Sequence, residues 1–233
     1  NHQDVFEMTV HAFNMAETYR TPVILLLDES VGHMREKFTI PEPGVLPVVD
    51  RLRTAVKRGV DYHPYLPRED GRLPMSDFGD DHRYNVTGLF HDMWGFPSNN
   101  PKIVESLLHH LVDKIENNTH EITRYKEKYI EDAETVLISY GSSARSTLHI
   151  VENRRKRGEK LGYLELQTLW PFPSDIVREK CKHARSIIVV EMNMGQVLQS
   201  VKSAVTDPDR VFLANRIDGV YLYDVDDLQG VVQ

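Results

Sequence analysis

The chain of 233 residues is 40% hydrophobic and 27% charged with a net charge of −7, the makeup of a globular protein with one sizeable core or two modest domains. That charge disfavours nucleic acid or an anionic membrane as the main partner, and the longest apolar run, five residues, is far below the roughly 20 needed to span a bilayer. The lone Cys181 excludes an internal disulfide framework and any zinc-thiolate or iron–sulfur site of the chain's own, and a single thiol suits a reducing, cytoplasmic setting.

Asp4 to Tyr19 reads as a helix. Asp4 caps the first turn, Glu7 supplies the return half of a capping box, and Val5, Met8, Ala12, Met15 and Tyr19 recur at helical spacing. Thr21-Pro22 ends it. Val23-Ile24-Leu25-Leu26-Leu27, closed by Asp28-Glu29, has the pattern of a strand buried on both faces of a parallel sheet. Such a strand needs neighbours on both edges, and residues 35–100 offer no parallel partner. The expectation is therefore that the chain starts within a domain whose other strands lie upstream.

Residues 35–101 hold eight of the twelve prolines and turn signals at Pro43-Gly44, Asp70-Gly71 and Phe78-Gly79. This predicts an irregular arm over 35–100, with short strands or a hairpin at most. Helix signals return with Asn100 as cap and Pro101 in the first turn. Val104, Leu107, Leu108, Leu111, Ile115, Ile122, Tyr125 and Tyr129 then form one apolar stripe. The stripe predicts a long connecting helix over 101–131, bent or frayed near Asn117-Asn118.

Residues 132–233 read as an α/β domain. Strands are expected at Thr135–Tyr140, Leu161–Leu166, Ile187–Glu191 and Val211–Ala214. Helices are expected at Ser143–Arg157, from Ser174, and at Gln196–Val205. Strands alternating with helices at this spacing imply a parallel sheet with right-handed crossovers.

No phosphate loop, G-x-G-x-x-G, C-x-x-C or H-E-x-x-H is present, so no complete nucleotide, redox or zinc site is written in the chain. Attention falls instead on loops after strand ends, where open parallel sheets form binding surfaces. The turn Tyr140-Gly141-Ser142-Ser143 is either a seat for an anion at a helix start or a tight turn with a serine cap. Asp28-Glu29, with Gly32-His33 and Arg35 close behind, can orient a cofactor or move a proton, or else simply end the strand in solvent. In Thr87-Gly88-Leu89-Phe90-His91-Asp92 the imidazole can bind an anion or move a proton; alternatively, His91 and Asp92 satisfy each other or backbone groups in a turn. Asp80-Asp81-His82 lacks a spaced third ligand and reads as a solvated loop. Arg154 to Arg157 suits the negative end of a helix dipole better than a phosphate site. The exposed Trp170-Pro171-Phe172-Pro173 and Asn193-Met194-Gly195-Gln196 loops are costly unless covered, which marks them as contact surfaces.

These residues carry a resemblance. Pro22 to Glu29, Gly32-His33-Met34-Arg35-Glu36, Thr87-Gly88, His91-Asp92 with Gly95 and Pro97, Tyr140-Gly141-Ser142, Leu169 to Pro173 and Glu191 to Gln196 resemble, in order along nearly the whole chain, the alpha subunit of 2-oxoacid:ferredoxin oxidoreductases of the 2-oxoglutarate type. The resemblance implies that residues 1–34 end a thiamine-diphosphate pyrimidine-binding domain and that 132–233 form a transketolase C-terminal-like domain. It implies coenzyme A-dependent oxidative decarboxylation of a 2-oxoacid, with electrons passing to ferredoxin and thiamine supplying the carbanion chemistry.

Thiamine diphosphate and magnesium would be shared with a beta subunit. The iron–sulfur cluster would lie in that partner only, coenzyme A would be co-substrate, and further small subunits could join the assembly. Glu29, His33, Arg35, His91 and Asp92 would lie near the active site. Tyr140, Gly141, Ser142, Trp170, Phe172, Asn193, Gly195 and Gln196 would face a partner subunit. The family's catalytic glutamate is expected upstream of Asn1, and its Gly-Asp-Gly signature for magnesium and diphosphate is absent. Met93-Trp94 stand where related chains carry an acidic residue after the His-Asp pair. On this reading the chain is inactive alone. Two alternatives stay open: a component of a thiamine-dependent 2-oxoacid dehydrogenase, and a non-catalytic assembly module.

Overall fold

The computed structural model describes residues 1–57 and 60–217; the last part of the 132–233 domain expected from the sequence lies outside the described residues. The chain divides into two compact units. One comprises Asn1–Leu26 and Arg35–Thr119; the other comprises Leu27–Met34 and the residues from His120 onward.

The first unit opens with α1 (His2–Tyr19). Its cap is Asn1, not Asp4: Asn1 Oδ1 accepts from the Asp4 N–H at 2.9 Å, and Asp4 supplies the return half of the box. Glu7 instead takes the Gln3 side chain one turn away. Arg20, left-handed at φ 46°, stops the helix. The carbonyls exposed by that stop are met from α3 (Pro101–Glu116): the buried Lys114 Nζ donates to Tyr19 O at 3.0 Å and Arg20 O at 3.3 Å.

No strand forms at Val23–Leu27, contrary to the doubly buried strand expected there. Among the described residues nothing pairs with this backbone, and Ile24 and Leu26 are 81% and 79% exposed. The apolar run supplies strand propensity, but a strand exists only with a neighbour to accept its hydrogen bonds. The described residues of 35–100 contain no helix or ladder, only isolated bridges at Arg53–Met75 and His91–Pro97. Side chains of α1 hold this segment in place of a sheet. Asn14, buried, accepts from Val49 N and donates to Pro47 O; Glu17 pairs with Arg51 through both oxygens, and Arg51 and Arg53 share Asp77.

The predicted long helix over 101–131 is corrected. Asn100 caps α3 and Pro101 opens it as expected, but the helix ends at Glu116. A single turn, α4 (Thr119–Ile122), follows, and then a strand, β1 (Tyr125–Lys128). Tyr125 and Tyr129 fit the helical stripe by spacing. Pairing of β1 with β3 (Leu161–Leu166), Tyr125 opposite Leu166 through Lys128 opposite Tyr163, overrides that period.

In the second unit the sheet runs β1-β3-β2-β4-β5, with β2 (Thr135–Ser139), β4 (Ser186–Glu191) and β5 (Val211–Asn215). β2, β3, β4 and β5 are parallel as expected; β1 is an antiparallel edge. The helices α5 (Ser143–Lys156), α6 (Ser174–Lys180) and α7 (Gln196–Ala204) fall within a residue or so of their expected bounds. Alternate residues along each central strand point to opposite faces, so two cores form. Val136, Ile138, Ile187 and Val189 pack on one side with Val177 and Val201, while Leu137, Ile188 and Val190 pack on the other with Ile150 and Val151. No helix among the described residues is long and apolar enough to cross a membrane.

Candidate functional site

At the carboxyl edge of the second unit's sheet, the loops after β2 and β4 are joined by one network. Glu191, the last residue of β4, is completely buried, and its two oxygens accept from Val197 N at 3.0 Å and Leu198 N at 2.9 Å in the first turn of α7. A carboxylate on those N–H groups is favoured by the helix dipole. The Tyr140 hydroxyl donates to Glu191 Oε2 at 3.1 Å and accepts from Asn193 Nδ2 at 2.5 Å. Asn193 Oδ1 in turn accepts from Gly195 N and Gln196 N. Burial first, and the Glu191 charge second, push the Tyr140 hydroxyl up to about 12.

The neighbouring helix start, that of α5, is also filled from within. Ser142 N donates to Asp28 Oδ2 at 2.5 Å, and Gly141 at φ 59° leaves room for that carboxylate. The anion at the Tyr140–Ser143 turn is thus the chain's own. Asp28 stands just ahead of α2 (Glu29–His33), in which Glu29 and His33 face each other at 3.6 Å, both largely exposed. Of the residues expected to face a partner, Tyr140, Asn193, Gly195 and Gln196 serve this network through side chain or backbone, and Phe172 packs against the core. Trp170 is 77% exposed, and Met194, in the other expected contact loop, is 74% exposed.

His91, Asp92 and Arg35 belong to the first unit, whereas Glu29 and His33 belong to the second. His91 does not form a dyad with the Asp92 carboxylate. Its Nδ1 lies 3.1 Å from the Asp92 carbonyl oxygen, which can only accept, so Nδ1 carries the proton and Nε2 the lone pair in the neutral ring. The Asp92 carboxylate instead accepts from Trp94 N and Phe96 N and closes a turn. The His91 ring packs against Tyr65, tilted by 45° with centroids 4.0 Å apart, and the Arg20 guanidinium lies over Tyr65 at 5.2 Å. Gly95, at φ 86°, is needed here because a Cβ would strike Asn85 O and the Tyr65 ring. Lys114 stands behind Arg20, and its pKa is lowered by burial and then by the Arg20 charge.

Sequence reasoning missed Arg20, Tyr65 and Lys114. None carries a motif, and the one available signal was a lysine within the apolar stripe of α3. Among the described residues, Asp80-Asp81-His82 included, no group of three or more His, Cys, Asp or Glu could hold a metal ion.

Comparison with known proteins adds to this geometry. Residues 1–100 match the family model described as pyruvate flavodoxin/ferredoxin oxidoreductase, thiamine diP-bdg, and residues 133–227 match pyruvate:ferredoxin oxidoreductase core domain II. The 2-oxoglutarate synthase subunit KorA of Methanothermobacter marburgensis is 39% identical over 93% of this chain and 57% of its own length; that of Methanothermobacter thermautotrophicus is 40% identical over the same shares. The ketoisovalerate oxidoreductase subunit VorB of Methanothermobacter marburgensis is 32% identical over 93% of this chain and 53% of its own. The chain thus spans a little more than half the length of these relatives. A solved 2-oxoglutarate:ferredoxin oxidoreductase from Magnetococcus marinus, with 2-oxoglutarate, coenzyme A and succinyl-CoA bound, superposes with a TM-score of 0.89 at 23% identity, over 98% of this chain and 40% of that one. It shares the fold.

Proposed function

Because the chain belongs to the 2-oxoacid:ferredoxin oxidoreductase family, we propose that it is part of an alpha subunit that decarboxylates 2-oxoglutarate oxidatively. Carbon dioxide leaves, the acyl group passes to coenzyme A, and the electron pair passes singly through a partner's iron–sulfur cluster to ferredoxin. The observation that carries the substrate choice is the identity of 39–40% with subunits named for 2-oxoglutarate, against 32% with one named for ketoisovalerate. A cytoplasmic location accords with the single buried thiol.

Thiamine diphosphate supplies the carbanion chemistry when bound. The carboxyl edge of this chain's sheet does not fit the diphosphate: the N-termini of α5 and α7 are filled by Asp28 and Glu191, and the donor set for a divalent cation is missing among the described residues. Diphosphate, magnesium and the iron–sulfur cluster are therefore assigned to a beta-type subunit, with further small subunits possible in the same assembly. In this reading His91 presents the Nε2 lone pair as a proton acceptor, Asp92 shapes the turn that holds it, and Glu29, His33 and Arg35 line the approach to the cofactor. The Trp170 and Met194 loops meet the partner.

The test is anaerobic reduction of ferredoxin by the complete enzyme, supplied with thiamine diphosphate, magnesium and coenzyme A. Reduction with 2-oxoglutarate that needs both subunits and coenzyme A, and outpaces pyruvate and 2-oxoisovalerate, is expected. A cluster-loaded assembly that reduces ferredoxin with none of these acids, or prefers another of them, overturns the proposal.

A further inference from the structure

Asp28 is the N-cap residue of α2, yet its carboxylate makes no cap there; only its carbonyl serves that turn, accepting from Val31 N and Gly32 N. Ser142 is the N-cap residue of α5, and it too makes no side-chain cap, its Oγ lying 3.7 Å from Met192 Sδ. Each residue omits the local bond its type favours. The two are joined instead across 114 positions of sequence, Ser142 N donating to Asp28 Oδ2.

Gly141 shows that the fit is specific. Its backbone is left-handed at φ 59°, and a Cβ at this position would run into Asp28 Oδ2. An ionised carboxylate on a helix-start N–H makes a stronger bond than a neutral serine cap. Among the described residues, no side-chain hydrogen bond from α2 itself reaches the rest of the chain. The backbone before it has no strand partner among the described residues, and the Glu29–His33 pair lies in solvent, where such pairs contribute little.

From these observations we infer that Asp28 is a positioning residue: its carboxylate, seated on the first turn of α5, holds α2 with Glu29 and His33 on the carboxyl edge of the sheet. Any consequence for turnover rests on the activity proposed above; the latch itself does not.

The experiment is hydrogen exchange on the complete enzyme carrying D28A, D28N, G141A or D28A/G141A, with kcat and KM measured alongside. In D28A, amides of residues 29–34 and the first turn of α5 exchange about fivefold faster, the opening expected on loss of one helix cap. D28N keeps a neutral acceptor and gives a smaller rise. G141A matches D28A, and the double variant exchanges no faster at 29–34 than either single one, because both remove the same contact. Turnover of D28A falls through kcat with KM for coenzyme A unchanged, and D28N restores part of it.

Unchanged exchange at 29–34 in D28A overturns the latch, as does a double variant whose effects multiply. If G141A does not fold, the graded pair D28N and D28A still decides. Exchange is read without turnover, so an enzyme inactive on every 2-oxoacid refutes the proposed activity and not the latch.

Discussion

The Tyr140 hydroxyl donates to the buried Glu191 carboxylate at 3.1 Å, tying the loop after β2 to the helix start after β4. The carboxylate has two backbone N–H partners of its own, so the tyrosine completes a charge site and does not create one. Glu191→Ala leaves two helix-start N–H groups and the half-buried Tyr140 phenol without this acceptor. It should lower unfolding stability by about 3 kcal/mol, the range for breaking a buried charged network. Urea unfolding of the variant subunit checks this; a loss below about 1 kcal/mol would contradict the role given to Glu191.

Tyr140 also sets a pH dependence. Its pKa is raised from 10.0 to about 12, so the neutral phenol is the form the fold favours. A group raised in the folded state contributes stability that is complete below its unfolded pKa and lost as pH climbs through the folded one. Stability should therefore fall between pH 10 and about 12. Burial pushes the Cys181 thiol up to about 12 as well, so the Tyr140 share is the part of the slope that Tyr140→Phe removes. Identical pH profiles for the two proteins would exclude it.

Lys114 closes α1 from α3, donating to the Tyr19 and Arg20 carbonyls at its end. Lys114→Met keeps the apolar stem and deletes the donors. It should cost about 1.5–3 kcal/mol, the range for hydrogen bonds made by a charged group. Thermal or urea unfolding reads the change, and a neutral result would mean that water replaces the ammonium without loss.

His91 holds its lone pair on Nε2, with the ring supported by Tyr65. On the proposed reaction, with His91 as proton acceptor, His91→Ala should reduce turnover of the complete enzyme by about 10²-fold or more. Tyr65→Leu removes the aromatic ring that His91 packs against and should give a smaller loss, with subunit assembly intact in both variants. Full turnover in His91→Ala would reduce this loop to a structural turn.

Trp170 is the largest exposed apolar side chain at the sheet's carboxyl edge. If the proposed interface buries this side chain as an anchor, Trp170→Ala should weaken association with the proposed beta-type subunit by about 2 kcal/mol. Sedimentation or calorimetry measures the association constant, and an unchanged value would place the interface elsewhere.

The parallel α/β unit was legible from local residue pattern. Its strand runs are short, continuous and apolar, they alternate with helical segments at regular spacing, Gly158 follows the end of α5, and none of these signals needs a distant partner. Ser143, Leu161, Leu166, Glu191 and Gln196 are element bounds in both the reading and the fold. The start of α3 at Asn100-Pro101 was legible for the same local reason. Tertiary structure alone decided what depends on a second strand or a remote side chain. Tyr125 to Lys128 became a strand because β3 offered an open edge, while Val23 to Leu27 did not because nothing described here offers one. The roles of Asp28 and Glu191 divide in the same way. Both carboxylates stand at conspicuous places in the sequence, but which N–H groups they meet depends on where two helices begin in space, and spacing along the chain does not contain that.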